Sequence, residues 1–208
     1  LHPRRNYIIR RASNLSKESH IIAANIDQAL LVVSLVRPAT NSEFIDRFLV
    51  TAGAYHIPAA ILLNKSDLYT TGELQQQRAR FIETYDVVEL SASRGEVLRI
   101  NPARARRQET RTEATSGLGG DADSGSGAGT SVMSGMGTEP LLERLRDRVT
   151  LLSGNSGVGK STLIRAIDPS LEVRVGEVSD AHHKGRHTTT FSEMYPLAEG
   201  GWLIDTPG

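Results

Sequence analysis

The sequence contains no cysteine, which excludes disulfide bonds, thiolate metal sites and cysteine nucleophiles. Its formal net charge is zero, because 24 Lys and Arg balance 24 Asp and Glu; this excludes a globally basic nucleic-acid coat and an acidic tail protein. No apolar run approaches the roughly 20 residues that a membrane-spanning helix needs. The arginine-containing N-terminus lacks the apolar segment of a secretory signal. These absences predict a soluble cytoplasmic protein without a membrane partner.

The 208 residues, 38% of them hydrophobic, are enough for one domain with a buried core. Continuous apolar runs predict buried strands, and apolar residues at helical spacing predict helices between them. The predicted strands are 29–36, 59–63, 87–90, 149–152, 191–197 and 202–205, and the predicted helices are 41–55, one after residue 70, 141–146 and 160–167. Thr40 with Glu43, and Thr70 with Glu73, form predicted capping boxes. The alternation predicts an α/β fold with a mostly parallel sheet and helices on both faces.

Two stretches depart from this rhythm. Residues 1–24 are basic and polar apart from the short apolar piece at residues 7–9, which could form the last strand of something upstream. Residues 101–138 are first Arg-rich and then Gly/Ser-rich with little to bury, which predicts a disordered insertion. The chain does not begin with Met and stops directly after a strand-like stretch, so we expect it to be part of a longer protein.

Residues 154–161 match the phosphate-loop pattern G-x-x-x-x-G-K-S, between a predicted strand and a predicted helix. Glycines let successive N–H groups face inward around an anion, and the helix N-terminus adds its positive end. Lys160 would bind the β- and γ-phosphates, and the Ser161 hydroxyl would ligate Mg²⁺. The expected binding residues are Gly154, Asn155, Ser156, Gly157, Val158, Gly159, Lys160, Ser161 and Thr162. The motif indicates a nucleoside triphosphate without specifying base or reaction.

A second motif, N-K-S-D at residues 64–67, follows the strand at 59–63. The Asp67 carboxylate can accept hydrogen bonds from guanine N1–H and N2–H₂, whereas adenine offers an acceptor at N1 and nothing at position 2. Asn64 could meet the N7/O6 side of the base, and the Lys65 stem could lie over the purine plane. The motif therefore favours guanine.

Two further loops follow predicted strands. Ser91 and Ala92 come after the strand at 87–90, and the Ala92 N–H could reach guanine O6. Asp205 and Gly208 belong to the D-T-P-G segment that ends the chain; the Asp is placed for the Mg²⁺ shell and the Gly N–H for the γ-phosphate. Because all four motifs sit at strand C-termini, together they predict guanine-nucleotide binding. The weaker alternative, an ATP-dependent P-loop kinase, has no use for N-K-S-D.

The motif order differs from that of an ordinary GTPase, in which the phosphate loop comes first and N-K-x-D later. Here N-K-S-D and S-A-S precede the phosphate loop, and D-T-P-G follows it. This order predicts a circular permutation, which a fold tolerates when its original termini lie close together at the surface.

With these motifs in this order, the sequence resembles the circularly permuted bacterial GTPases, and most closely the ribosome small-subunit-dependent GTPase A family. The resemblance is carried by residues 22–34, 45–50, 63–67, 154–162, 184–190 and 203–208. It implies a P-loop GTPase that uses GTP and Mg²⁺ and helps assemble the small ribosomal subunit through its rRNA. It also implies that residues 1–20 are the tail of an OB-fold or a linker, and that residues 21–208 are the permuted GTPase domain, truncated at its C-terminal end. Zinc is expected only in a downstream module. We further expect a monomer that binds no DNA.

The segment 182–190 contains three histidines and three threonines where a switch segment belongs. Among the threonines we favour Thr189 for contacts with Mg²⁺ and the γ-phosphate. His187 could orient or deprotonate the attacking water, or it could be a solvated loop histidine or an RNA contact. A zinc site is the competing interpretation of the histidines, but no cysteine or second ligand pair supports it.

Two functions of different class remain open at this stage: a GTP hydrolase stimulated by the small subunit, and a GTP-gated rRNA-binding module with negligible turnover. Basic residues could contact rRNA phosphates in either case, or simply be solvated charges. They are Arg4, Arg5, Arg10, Arg11, Arg104, Arg106, Arg107, Lys184 and Arg186.

Overall fold

The computed structural model describes residues 3–11, 19–81, 84–101, 137–171 and 192–206. These residues form a seven-stranded sheet, a two-stranded hairpin, several α-helices and one short 3-10 helix. The strands are β1 (Tyr7–Arg11), β2 (Ser19–Ala24), β3 (Gln28–Val33), β4 (Ala59–Leu63), β5 (Asp86–Ser91), β6 (Glu96–Asn101), β7 (Val149–Ser153), β8 (Glu193–Pro196) and β9 (Trp202–Asp205). The helices are α1 (Ser42–Ala54), α2 (Thr71–Phe81), α3 (Glu139–Leu145) and α4 (Lys160–Ile167), with the 3-10 helix at Ser66–Leu68.

The large sheet has the strand order β6-β5-β4-β3-β7-β9-β8. Strands β3, β4, β5, β7 and β9 are mutually parallel, and β6 and β8 are antiparallel edge strands. From the centre, the chain steps outward from β3 through β4 to β5, and in the other direction from β7 to β9. The boundary between β3 and β7 is therefore a topological switch point, where α/β sheets bind ligands. The mostly parallel α/β sheet confirms the predicted fold class.

Helices cover both faces of the sheet, as predicted. All six residues of β3 are buried, which explains its continuous apolar sequence. Its side chains alternate between the two faces: Leu30 and Val32 belong to the cluster that includes α3 and α4, whereas Leu31 and Val33 pack with α1 and α2.

One predicted capping box is wrong and the other is confirmed. Helix α1 is capped by Asn41, whose side chain accepts a hydrogen bond from the Glu43 N–H at 2.9 Å. The predicted cap, Thr40, instead accepts from the Ser34 N–H at 3.0 Å and closes the turn after β3. Before α2, Thr70 and Glu73 do form the reciprocal box: the Thr70 N–H donates to the Glu73 carboxylate at 2.9 Å, and the Glu73 N–H to the Thr70 hydroxyl at 3.3 Å.

The start of the chain packs on the sheet. Strands β1 and β2 form an antiparallel hairpin, and Ile8 and Ala23 lie in the same buried cluster as Ala29 and Leu151. The predicted division at residues 20 and 21 falls within β2 and stays a prediction. Most of the predicted insertion, 102–136, lies outside the described residues. Among the helices that the structure describes, none has the length and apolar character to span a bilayer.

Candidate nucleotide-binding site

The predicted motifs converge on one edge of the sheet. Because β4, β5, β7 and β9 are parallel with β3, the residues that follow them lie at the same edge. These are residues 64–67 (hereafter the base-binding loop), residues 91–93, residues 154–161 (the phosphate loop), and Thr206. The phosphate loop follows β7 beside the switch point between β3 and β7.

The phosphate loop depends on glycine where it approaches its neighbours. Gly154 has φ +152°, and a Cβ there would lie 2.4 Å from the Val32 carbonyl oxygen. Gly159 has φ +102° and begins α4, and a Cβ there would lie 2.3 Å from Asn64 Nδ2. Any side chain at these positions would push the loop away from β3 or from the base-binding loop.

Lys160 holds its ammonium over the phosphate loop. Its Nζ donates to the Gly154 carbonyl at 2.5 Å and to the Asn155 carbonyl at 3.3 Å. The residue is 9% exposed, and burial lowers the pKa of its ammonium, opposed by the negative charge of Asp205. Neutral carbonyls compensate a buried cation only in part, so a phosphate is a better partner for this ammonium than the loop itself.

Asp205, at the end of β9, is the carboxylate whose negative charge acts on Lys160. Burial, with a smaller contribution from Glu193, raises the pKa of its carboxyl from 3.8 to about 6, against the opposing effect of Lys160. Its Oδ1 is buried and finds no hydrogen-bond partner in the described part of the chain. Thr206 fixes the strand end by donating from its N–H and hydroxyl to the Leu152 carbonyl at 3.1 and 3.0 Å.

The residues present fit Mg²⁺. A carboxylate oxygen without a partner is a hard ligand of the type that Mg²⁺ prefers. Ser161 supplies a half-buried hydroxyl on the first turn of α4, directly after Lys160. One carboxylate and one hydroxyl are typical of Mg²⁺ sites, since this ion keeps several waters and takes further oxygens from phosphates.

Asn64 joins three of the four loops. Its side chain is 2% exposed, donates from Nδ2 to the Val158 carbonyl at 2.8 Å, and accepts at Oδ1 from the Ala92 N–H at 2.9 Å. The Ala92 N–H, expected to reach guanine O6, is thus engaged by Asn64, and could reach a base only by sharing that bond. Nδ2 has a second N–H, so the predicted contact with the N7 side of the base stays a prediction. What the structure adds is that Asn64 also positions the phosphate loop.

Lys65 also reaches the phosphate loop. It has φ +61°, and its Nζ donates to the Gly157 carbonyl at 2.9 Å and to the Arg37 carbonyl. The ammonium therefore binds two loop carbonyls, while the predicted contact of its stem with the purine plane stays a prediction.

Asp67 lies on the 3-10 helix Ser66–Leu68 and is half-buried. Its Oδ1 is buried and has no hydrogen-bond partner among the residues that the structure describes. Beside it, the buried Ser66 hydroxyl donates to the Leu63 carbonyl at 2.8 Å, and Ser91 Oγ lies 3.2 Å from Ser93 Oγ. A buried carboxylate oxygen without a donor fits a ligand edge that presents N–H groups, as guanine does.

The family model described as RsgA GTPase matches residues 1–120 and 125–208. The chain belongs to the RsgA GTPase family. It is 43% identical to the small ribosomal subunit biogenesis GTPase RsgA of Phocaeicola vulgatus, over 99% of this chain and 54% of that protein. Identity to the protein of the same name in Bacteroides fragilis is 44%, with the same coverage. Among solved structures, YjeQ from Thermotoga maritima matches with a TM-score of 0.60 at 29% identity, covering all of this chain and 53% of that one.

The chain spans about half the length of the curated relatives that it matches. The strand before N-K-S-D precedes the phosphate-loop strand in sequence, and β3 lies between these two strands in the sheet. This arrangement supports the predicted circular permutation.

Several predicted residues of this family's site lie outside the described ranges. They are His187, Thr189 and Gly208, together with the whole histidine-containing segment 182–190. Of the predicted RNA-contacting arginines, Arg5 forms a 2.9 Å ion pair with Asp27, and Arg4 is exposed. The roles of all these residues stay predictions.

Sequence reasoning missed Tyr69. Its hydroxyl accepts from the Leu35 N–H at 2.8 Å, lies 3.0 Å from Ser34 Oγ and donates to the Asn64 carbonyl. The available signal was an aromatic residue two positions after the Asp of N-K-S-D, which by itself specifies no partner.

Proposed function

We propose that this chain binds GTP through the site at the sheet edge and hydrolyses it to GDP and phosphate. The observation that carries the proposal is the buried Asp67 Oδ1, which lacks a donor among the described residues in a loop tied to the phosphate loop through Asn64 and Lys65. Guanine N1–H and N2–H₂ would supply the missing donors, whereas adenine would leave the carboxylate unpaired.

The phosphates would lie against residues 154–162. Lys160 would exchange its carbonyl partners for β- and γ-phosphate oxygens, and the N–H groups at the start of α4 would bind phosphate as a helix N-terminus does. Asp205, Ser161 and Thr189 would hold Mg²⁺ or its waters. When bound, Mg²⁺ would neutralise charge that develops on the phosphate oxygens.

For hydrolysis, a water attacks the γ-phosphorus while the bond from phosphorus to the β–γ bridging oxygen breaks, and the electron pair leaves with GDP. We assign His187 to orient this water or take its proton, and the Gly208 N–H to the γ-phosphate. A histidine in this role contributes roughly 10²–10⁴ in rate. His187→Ala should therefore leave GTP affinity within about threefold of the parent value. It should slow single-turnover hydrolysis by roughly 10²–10⁴.

The relatives' names supply the partner in this proposal. They are small ribosomal subunit biogenesis GTPases, so we place this chain's activity on the small subunit and its rRNA, in the bacterial cytoplasm. We further propose that the protein is monomeric, that it binds no DNA, and that zinc is bound only in a downstream module.

The test is phosphate release from GTP, with and without purified small ribosomal subunits, using this chain and the corresponding full-length gene product. We expect slow release alone and faster release with subunits, at least for the full-length protein. Lys160→Ala serves as the control for contaminating hydrolases. GTP binding without release in either protein would instead support the GTP-gated RNA-binding module, and absence of GTP binding would contradict the proposal.

A further inference from the structure

We propose that Tyr69 is a positioning residue that sets guanine selectivity, because its hydroxyl closes the base-binding loop and anchors it to the end of β3. This inference rests on the proposed guanine-nucleotide function and extends it to a residue outside the four motifs.

The loop is closed on itself by short-range hydrogen bonds. The Leu68 N–H donates to the Lys65 carbonyl at 2.9 Å, which forms the 3-10 helix that carries Asp67. Tyr69 follows this helix in an extended conformation, and its hydroxyl turns back to donate to the Asn64 carbonyl, at the start of the loop. Asp67 therefore lies within a ring of chain whose two ends are joined by the Tyr69 side chain.

The same hydroxyl joins this ring to β3. It accepts a hydrogen bond from the Leu35 N–H at 2.8 Å and lies 3.0 Å from the Ser34 hydroxyl. Burial raises the pKa of the Tyr69 phenol, so the hydroxyl keeps its proton and can donate at neutral pH. One side chain thus meets a backbone donor on β3's end and a backbone acceptor in the base-binding loop.

The segment that follows β3 is held by packing and by hydrogen bonds. A cavity of about 460 Å³ opens between α1 and α2, and Ser34, Leu35 and Thr40 line it. Leu35 packs against the apolar cluster that includes Ile45 and Phe81, and the hydrogen bonds of the Tyr69 hydroxyl link its backbone directly to Asn64.

Removing the hydroxyl leaves the Leu35 N–H and the Asn64 carbonyl without that partner, and it frees the ring that places Asp67. The phosphate loop keeps its own bonds to Asn64 Nδ2 and Lys65 Nζ, which do not pass through the phenol. The expected result is a loss confined to recognition of the base, with binding of the phosphates unchanged.

The experiment compares the affinities of the full chain for GDP, inosine diphosphate and ADP, before and after Tyr69→Phe. The base of inosine lacks the 2-amino group, so the difference between GDP and inosine diphosphate affinity measures the expected bond from that group to Asp67. Loss of one well-placed hydrogen bond corresponds to about a tenfold weaker GDP affinity. The ratio of GDP to inosine diphosphate affinity should fall about threefold or more, and ADP affinity should change less than about twofold. Ratios of affinities are independent of the folded fraction, so a general loss of stability does not produce this pattern.

Tyr55→Phe is the matched control, because Tyr55 is half-buried at the end of α1, where its ring packs on Tyr7 at 5.1 Å. It should leave all three affinities unchanged. If Tyr69→Phe does not fold, Tyr69→Leu removes the same hydroxyl and should lower the ratio in the same direction. An unchanged ratio, or an equal loss for GDP and ADP, would overturn the assignment of Tyr69. A parent chain that binds ADP as tightly as GDP would overturn the guanine function itself.

Discussion

On the base side of the site, Asn64, Ser66 and Tyr69 form hydrogen bonds within the protein. Asp67 Oδ1 is a buried acceptor with no partner among the residues that the structure describes. On the phosphate side, Lys160 is buried and Asp205 is half-buried, and the pKa values of both shift toward the neutral form. We therefore expect the base side to change little when a ligand binds, and the charges of the phosphate side to be compensated mainly by phosphate and Mg²⁺. Substitutions on the two sides should therefore differ in their effects on stability and binding.

The largest effect should come from Lys160→Ala. Truncating one partner of a buried, hydrogen-bonded charge pair, here the ammonium that would bind the phosphates, costs about 3 kcal/mol or more. Nucleotide affinity should therefore fall by roughly a hundredfold or more for guanine and adenine diphosphates alike. Calorimetric titration of both ligands measures this, with Arg165→Ala, an exposed cation on the same helix, as the control. An affinity within threefold of the parent would show that the phosphates bind elsewhere.

Asp67→Asn should change the choice of base and leave phosphate binding intact. The amide places a donor against guanine donors, so GDP affinity should fall by about 2–4 kcal/mol while ADP affinity stays the same. Xanthine carries an acceptor oxygen at position 2, and xanthosine diphosphate should bind the variant better than GDP does. Equal losses of affinity for GDP and ADP would contradict the distinction between a base side and a phosphate side of the site.

Asp205 should give the nucleotide site a pH dependence. Mg²⁺ needs the ionised carboxylate, so the gain in GDP affinity from Mg²⁺ should decline as pH falls through about 6. In Asp205→Asn, Mg²⁺ should increase GDP affinity by a smaller factor. Any pH dependence that remains in this variant should come from titration of the nucleotide phosphates. Identical pH profiles for the two proteins would remove Asp205 from the metal site.

In the absence of nucleotide, the raised pKa of Asp205 predicts the opposite pH trend for the free energy of unfolding. The folded-state pKa of Asp205 is above its ordinary value, so the folded protein binds this proton more tightly than the unfolded chain does. Its contribution is fully present below pH 3.8 and is lost as pH rises through about 6. At pH 7.5, Asp205→Asn should raise the free energy of unfolding by about 1–2 kcal/mol, allowing for partial exposure. Urea unfolding at pH 5 and 7.5 checks the sign, and destabilisation at pH 7.5 would contradict it.

The smallest effect should come from residues 102–136. Their composition offers little apolar surface, so a short Gly/Ser linker from Asn101 to Gly137 should change the melting temperature by no more than about 2 °C and GDP affinity by less than twofold. A large loss on either measure would show that this segment packs on the domain or the site.

The motifs and the elements that carry them could be predicted because their signals are local. Strands β4 and β9 and helix α4 have the predicted bounds, since a phosphate loop and continuous apolar runs are read within a few residues. Strands β2 and β6 were not predicted, because each mixes polar and apolar residues. Their strand conformation depends more on pairing with β1 and β5 than on their own residues. Thr40 was wrong as a cap because a contact with Ser34, six residues earlier, uses its hydroxyl.

Within the site, residue types could be predicted but their partners could not. The guanine role of Asp67 and the phosphate role of Lys160 are predictions from residue type and motif. Asn64 and Lys65, however, reach the phosphate loop across more than 90 positions of sequence, and Tyr69 reaches Leu35 across 34. Such contacts depend on which strands lie side by side, so spacing along the chain does not reveal them.

The most direct test of the guanine-nucleotide site is equilibrium binding of GDP and ADP to the chain, each with and without Mg²⁺, at pH 7.5. We predict that GDP binds at least about a hundredfold more tightly than ADP, since Asp67 pairs only with guanine, and that Mg²⁺ strengthens the binding of both by a similar factor. Equal affinities for GDP and ADP would contradict the account.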